Sequence, residues 1–173
     1  VPASIGIIID GNRRWARAKG LPSLEGHRRG LALVKDATQW AEEAGVSELT
    51  IYAFSTENWN RSAEEVGYLM RLFRKTITKE LSTLIKKGIR VRFVGERERL
   101  PKTLQKAMLE AEESSSKKRG LLLRIGISYG ARAEILDAVN ELLARGAKTA
   151  GEKELREAMW TKGMKDPDLI IRT

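Results

Sequence analysis

Asp10-Gly11-Asn12-Arg13-Arg14-Trp15 places a carboxylate, a glycine, an amide and two guanidinium groups within six residues. A carboxylate at a strand end can hold Mg²⁺, a hard ion that takes few protein oxygens and the rest from water and phosphate. Gly11 lets the backbone approach an anion closely, and the N–H groups opening a following helix can point at it. Arg14 adds a planar fork for phosphate oxygens. The same residues also read, with equal weight, as an Asp-Gly turn flanked by solvated arginines. Phe54-Ser55-Thr56-Glu57-Asn58-Trp59-Asn60-Arg61 is denser in hydrogen-bonding groups than a connection requires. Its plainer reading is a helix start capped by Asn60 or Ser62, with Trp59 in the core. His27 is the sole histidine, and such a residue is more often a surface or capping group than a ligand.

These segments need elements to hold them. Ile5 to Ile9 is a short apolar run ending at the turn signal Asp10-Gly11-Asn12. From His27 to Gly45 a helical period runs through Leu31, Val34, Thr38, Ala41 and Ala44. Leu49–Phe54, Ile89–Val94, Leu121–Ile127 and Leu169–Ile171 read as strands. Ser62 and Glu65 form a capping box, after which Val66, Leu69, Met70, Phe73, Ile77, Leu81 and Leu84 make one long stripe. The basic residues Arg71, Arg74, Lys75, Lys79, Lys86 and Lys87 are by default its solvated face. Leu104, Met108 and Ala111 mark another helix, followed by 131–144 and 152–160. Ser114 to Gly120 is a helix end, too short for a linker. Alternating strands and helices predict an α/β fold with a central, largely parallel sheet flanked by helices. Ligands of such sheets bind beyond the carboxyl ends of the strands, where the polar and cationic residues named above collect.

The chain has 173 residues, no cysteine, 42% hydrophobic residues and a net charge of +9. That is enough for one domain with a real core. It excludes a disulfide scaffold, a cysteine nucleophile and thiolate metal sites. No apolar run approaches a membrane span, and no signal-peptide pattern opens the sequence, so a cytoplasmic protein is expected. The excess of positive charge favours an anionic partner: phosphate, nucleic acid or an acidic membrane surface.

Five segments together resemble the cis-prenyltransferase family of isoprenyl transferases. They are Ile9–Ala16, Gly26-His27-x-x-Gly30, Tyr52–Arg61, Tyr129-Gly130-Ala131-Arg132 and Asp168–Thr173, in order and at family-like spacing. The resemblance implies condensation of isopentenyl diphosphate with an allylic diphosphate such as farnesyl diphosphate, in a Mg²⁺-assisted reaction. It implies a homodimer and a hydrophobic tunnel, for which the Val66–Leu84 stripe would supply a wall. It also implies peripheral contact with a membrane, where the product lives. By the resemblance, Asp10 is the catalytic, Mg²⁺-associated carboxylate. Gly11, Asn12, Arg13, Arg14 and His27 hold the allylic diphosphate, and Trp15 lines its site. Ser55, Thr56, Glu57, Asn58, Trp59 and Arg61 form a loop that closes over the substrates, and Asn58 is catalytic, with the role of removing the departing proton. Because an amide is a poor base, Asn58 is expected instead to orient a diphosphate oxygen that accepts it. Arg172 begins the site for isopentenyl diphosphate.

The sequence departs from the family pattern at Ser23, where an arginine is usual, so that Arg28 or Arg29 is expected to supply a phosphate contact. Ser128 stands in place of the usual asparagine before Tyr-Gly, and Ser4 falls where a histidine is often found. The family continues past Thr173 with further Arg, Ser and Glu contacts, so residues 1–173 are expected to form a single domain short of that segment. Two other classes would carry different residues. A non-catalytic relative would be expected to lose Asp10, Asn12, Arg14 or Asn58, and all are present. A nucleic-acid-binding module would interleave aromatics with the basic stretches, and this chain does not.

Overall fold

The computed structural model describes residues 1–173. Five strands, β1 (Ser4–Ile8), β2 (Glu48–Ser55), β3 (Arg90–Val94), β4 (Leu122–Tyr129) and β5 (Leu169–Arg172), form one sheet in the order β3-β4-β2-β1-β5. Every pairing is parallel, so the sheet is wholly rather than largely parallel. The helices are α1 (Asn12–Ala18), α2 (Ser23–Glu43), α3 (Ala63–Thr76), α4 (Ser82–Lys86), α5 (Lys102–Ser115), α6 (Ala131–Ala144) and α7 (Glu152–Ala158). Thr56–Asn60 is a 3₁₀ turn.

Strand register explains the core. Val91, Leu123, Leu49 and Ile5 pair across the sheet, and two residues on so do Phe93, Ile125, Ile51 and Ile7. Side chains alternate faces along a strand, so both rows project to one side. There they meet the apolar stripes of α2, α3 and α5 in a single buried cluster of 26 residues. β4 is buried along nearly its whole length, as a strand inside a parallel sheet covered on both faces must be.

The long stripe predicted after Ser62 is continuous but not a single α-helix. Ser62 caps α3, its hydroxyl accepting the Glu65 N–H at 3.2 Å. The chain then widens into a π turn at Ile77–Leu81 before α4. Only Leu69 of this stripe lines the cleft described below. Phe73, Ile77, Leu81 and Leu84 are sealed in the core, so the expected tunnel wall is confined to the top of the stripe in this conformation.

Candidate active site

A cleft of about 720 Å³ opens at the carboxyl ends of β1, β2, β4 and β5. Its floor is apolar or aromatic: Ile8, Ile9, Tyr52, Ala53, Phe54, Leu69 and Tyr129. Its rim carries Arg13, Arg14, Arg17, Arg61 and Arg172, against one carboxylate, Asp10. Five guanidinium groups above a greasy floor suit a ligand with a strongly anionic head and a hydrocarbon body.

Gly11 turns the chain from β1 into α1 with φ +78°, the left-handed region that favours glycine. That turn leaves Asp10 at the mouth. Its Oδ1 accepts the Gly11 N–H at 2.6 Å, and its Oδ2 accepts an Arg172 N–H at 2.6 Å with Arg14 at 4.0 Å. The Arg172 hydrogen bond, then the Gly11 N–H, hold the carboxyl below its usual range, against the opposing effect of burial. Asp10 is therefore ionised at neutral pH.

Behind it, His27 is buried, and its Nε2 lies 2.9 Å from Glu65 Oε1. The same oxygen accepts an Arg61 N–H at 3.0 Å and lies 3.8 Å from Arg13 Nε. Burial pushes the His27 imidazole down, the Glu65 hydrogen bond opposing it. Burial also works against ionisation of Glu65, but the His27 hydrogen bond and the charges of Arg61 and Arg13 outweigh it. The result is a neutral imidazole donating to a carboxylate that holds two arginines toward the cleft.

On the loop after β2, Asn58 Oδ1 accepts the Ser55 N–H at 3.1 Å, folding the 3₁₀ turn. The amide N–H₂ remains to donate. Tyr129 stacks against Tyr52 with centroids 5.2 Å apart, and its hydroxyl donates to Glu134 at 2.8 Å. Glu134 is fully buried and also accepts the Thr161 N–H at 2.7 Å, which ties the cleft wall to the turn after α7.

Of the residues singled out from the sequence, the cleft collects Asp10, Gly11, Asn12, Arg13, Arg14, His27, Ser55, Asn58, Arg61 and Arg172. Thr56, Glu57, Trp15 and Trp59 are not on its wall. Thr56 and Glu57 sit on the turn above it. Trp15 is 41% exposed with the Arg29 guanidinium 5.3 Å over its ring. Trp59 turns away, packing edge-on against Phe54 and donating to Ser128 Oγ at 2.9 Å. Ser128 makes that contact from a positive φ of 57°, a conformation asparagine tolerates more readily. Arg28 and Arg29, expected to replace the arginine absent at Ser23, are instead both clamped by Glu25. Arg17 is the additional cation at the cleft. Sequence reasoning missed it and Glu65, although the i, i+4 spacing of Arg61 and Glu65 was a usable signal.

A family described as "Putative undecaprenyl diphosphate synthase" matches residues 8–173. The chain belongs to the undecaprenyl diphosphate synthase family. It is 42% identical over 173 residues to an isoprenyl transferase of Aquifex pyrophilus, covering all of this chain and 75% of that protein. It is 42% identical over 180 residues to the farnesyl-diphosphate-specific ditrans,polycis-undecaprenyl-diphosphate synthase of Micrococcus luteus, covering all of this chain and 72% of that one. Lavandulyl diphosphate synthase from Lavandula x intermedia, solved in complex with dimethylallyl diphosphate, superposes with a TM-score of 0.94. Identity there is 32%, over 99% of this chain and 77% of the other. A probable undecaprenyl diphosphate synthase from Campylobacter jejuni gives a TM-score of 0.79 at 25% identity, over 98% and 74%. The fold is thus that of the undecaprenyl diphosphate synthases, and the chain is an isoprenyl transferase, a prenyl-transferring enzyme.

Within this synthase fold Glu65 is a positioning group for three cationic or hydrogen-bonding side chains. Glu65→Ala is expected to lower kcat/KM about a hundredfold, the scale on which misplacement near 1 Å acts. Steady-state kinetics on the purified variant, with circular dichroism to check the fold, would measure it. Glu65→Asp, which keeps the charge, should recover part of the loss.

Proposed function

We propose that the chain condenses isopentenyl diphosphate with an allylic diphosphate, farnesyl diphosphate being the natural test substrate, to give a polyprenyl diphosphate. The observation that carries this is the cleft itself: one carboxylate and five arginines over an apolar floor. Ionisation of the allylic C–O bond moves charge onto a diphosphate, and Arg13 and Arg14 stand at the rim to receive it, while Arg172 serves the isopentenyl diphosphate. His27, neutral and with its N–H given to Glu65, acts through that carboxylate, which holds Arg13 and Arg61 toward the cleft. The hydrocarbon tail, at roughly 0.8 kcal/mol per buried CH₂, lies along Ile8, Ala53, Phe54 and Leu69. Asn58 has its carbonyl committed to Ser55, so its amide donates to a diphosphate oxygen, and that oxygen takes the proton lost as the new double bond forms.

No three His, Cys, Asp or Glu side chains converge into a metal cage. A site with one carboxylate nonetheless fits Mg²⁺, which is commonly held by one or two carboxylates plus substrate phosphates. Asp10 would hold it, and bound there it would neutralise charge on the departing diphosphate.

The same reading makes the protein a homodimer. Leu136 and Leu143 on α6 and Ile170 on β5 are each more than half exposed, apolar surface of the kind a second copy would cover. It also puts the protein in the cytoplasm with peripheral contact to a membrane, supported by the net charge of +9. No helix is long and apolar enough to cross one.

The test incubates the full-length gene product with labelled isopentenyl diphosphate, farnesyl diphosphate and Mg²⁺, and resolves products by chromatography. A ladder of longer prenyl diphosphates is expected. Unchanged substrates, in the presence of an active synthase control, would sink the reading.

A further inference from the structure

A second cavity, of about 730 Å³, lies on the opposite side of the Thr56–Asn60 turn, between α3 and the start of α5. Its size falls in the range of about 300–1,000 Å³ typical of small-molecule sites. Thirteen residues line it; four are cationic and none is acidic. The cations are Arg71, Arg74 and Lys75 on α3 and Arg99 on the loop before α5. Arg71, Arg74 and Lys75 meet no carboxylate, and Arg99 reaches only Glu96, at 3.5 Å. Three of the four belong to the basic set first read as a solvated helix face. They are exposed, as that reading has it, and they also border the cavity.

The floor of this cavity is Trp59, Val66 and Met70. The Arg71 guanidinium folds back to within 3.4 Å of where a Cβ on Gly67 would sit, so glycine leaves room for it against the helix. Arg99 lies over the Trp59 ring at 4.9 Å, keeping its charge beside apolar surface. A concave site with four cations, no anion and an aromatic and thioether floor selects a ligand with the same two characters. We propose that it is a second binding site, separate from the catalytic cleft, for a single-tailed anionic amphiphile: a phosphate or diphosphate ester bearing one hydrocarbon chain. Trp59 belongs to the turn whose Asn58 lines the catalytic cleft, so it reports on occupancy directly. The inference does not depend on the catalytic reading, since it rests on a different cavity and different residues.

Dodecyl phosphate, titrated below its micelle concentration into the full-length protein, is the probe. Calorimetry should give two saturable sites, because the catalytic cleft accepts the same chemistry. Arg13→Gln/Arg14→Gln should remove one, and Arg71→Gln/Arg74→Gln the other, weakening it about tenfold or more with two charge-assisted contacts gone. Both arginines on α3 are exposed, so the second variant should fold normally. The fluorescence change that survives in the cleft variant should vanish on adding Trp59→Phe. Inorganic phosphate and the neutral dodecyl maltoside should each bind the second site at least about tenfold more weakly. A single site lost with the cleft variant would overturn the proposal, as would equal binding of either control. Phosphatidylglycerol vesicles give the remaining arm. If Arg71→Gln/Arg74→Gln abolishes vesicle binding yet leaves dodecyl phosphate binding unchanged, the cations serve a flat lipid surface and the pocket is refuted.

Discussion

Asp10→Ala is expected to lower prenyl transfer by at least about a thousandfold, the scale on which loss of a charge-organising group acts, while leaving the fold intact. The reason for the second half is geometric. The carboxylate sits at a solvent-open mouth, and its strongest partner, Arg172, is itself mostly exposed, so the pair adds little to stability. Its removal frees Arg172, Arg14 and the Gly11 N–H without burying any of them unpaired. Two measurements decide it: turnover with labelled isopentenyl diphosphate, and the thermal unfolding midpoint. Retained turnover would refute the assignment of Asp10. Asp10→Asn is a useful companion, because it keeps the hydrogen-bond acceptor and removes only the charge. It should be nearly as inactive if charge, rather than shape, is what the site needs.

The other large effect comes from glycines. A Cβ on Gly26 would overlap the Asn12 carbonyl and come within 3.0 Å of the Ala16 methyl. Both are parts of α1 or its first residue, and a backbone carbonyl cannot swing aside. Gly26→Ala therefore forces α1 and α2 apart and should cost about 1–3 kcal/mol, the usual scale of overpacking. A Cβ on Gly30 meets a different object, the Asn12 side-chain amide, at 2.5–2.7 Å. An amide can turn, so Gly30→Ala should spare the fold and displace Asn12 from the cleft. Denaturant melts and kinetics on the two variants should dissociate: Gly26→Ala loses mainly stability, and Gly30→Ala mainly kcat/KM. If both lose only activity, the packing argument for the first is wrong.

These glycines also show what the sequence could and could not convey. Period and turn chemistry were sufficient for the five strands, for α2, and for the Ser62 cap on α3, because each is a local pattern with a local cause. The gathering of Asp10, Arg14, Asn58 and Arg172 followed from one topological rule, that strand ends in a parallel sheet share an edge. What stayed hidden was anything decided by a distant neighbour. Gly26 and Gly30 read as a motif, yet their reason is Asn12, which only the packing of α1 on α2 brings near. Arg28 and Arg29 are the local exception: Glu25, three and four residues before them on the same helix, holds both, a spacing legible in the sequence. Trp59 reads as core from the residues and as a substrate-loop residue by the resemblance, and its ring donates to Ser128, 69 residues away. The π turn at Ile77–Leu81 falls where buried residues recur at every fourth position, Leu69, Phe73, Ile77 and Leu81, a spacing wider than the α period but too close to it to read as a break.

The pairing of β5 with β1 joins segments separated by more than 160 residues, and through it Arg172 reaches Asp10. Such a non-local contact forms late, because the intervening chain must be organised first. During synthesis, a nascent protein with four strands already laid down would hold its acidic group without the guanidinium that steadies it. The steadying of that carboxylate thus arrives in one step, when β5 docks beside β1, and not by degrees.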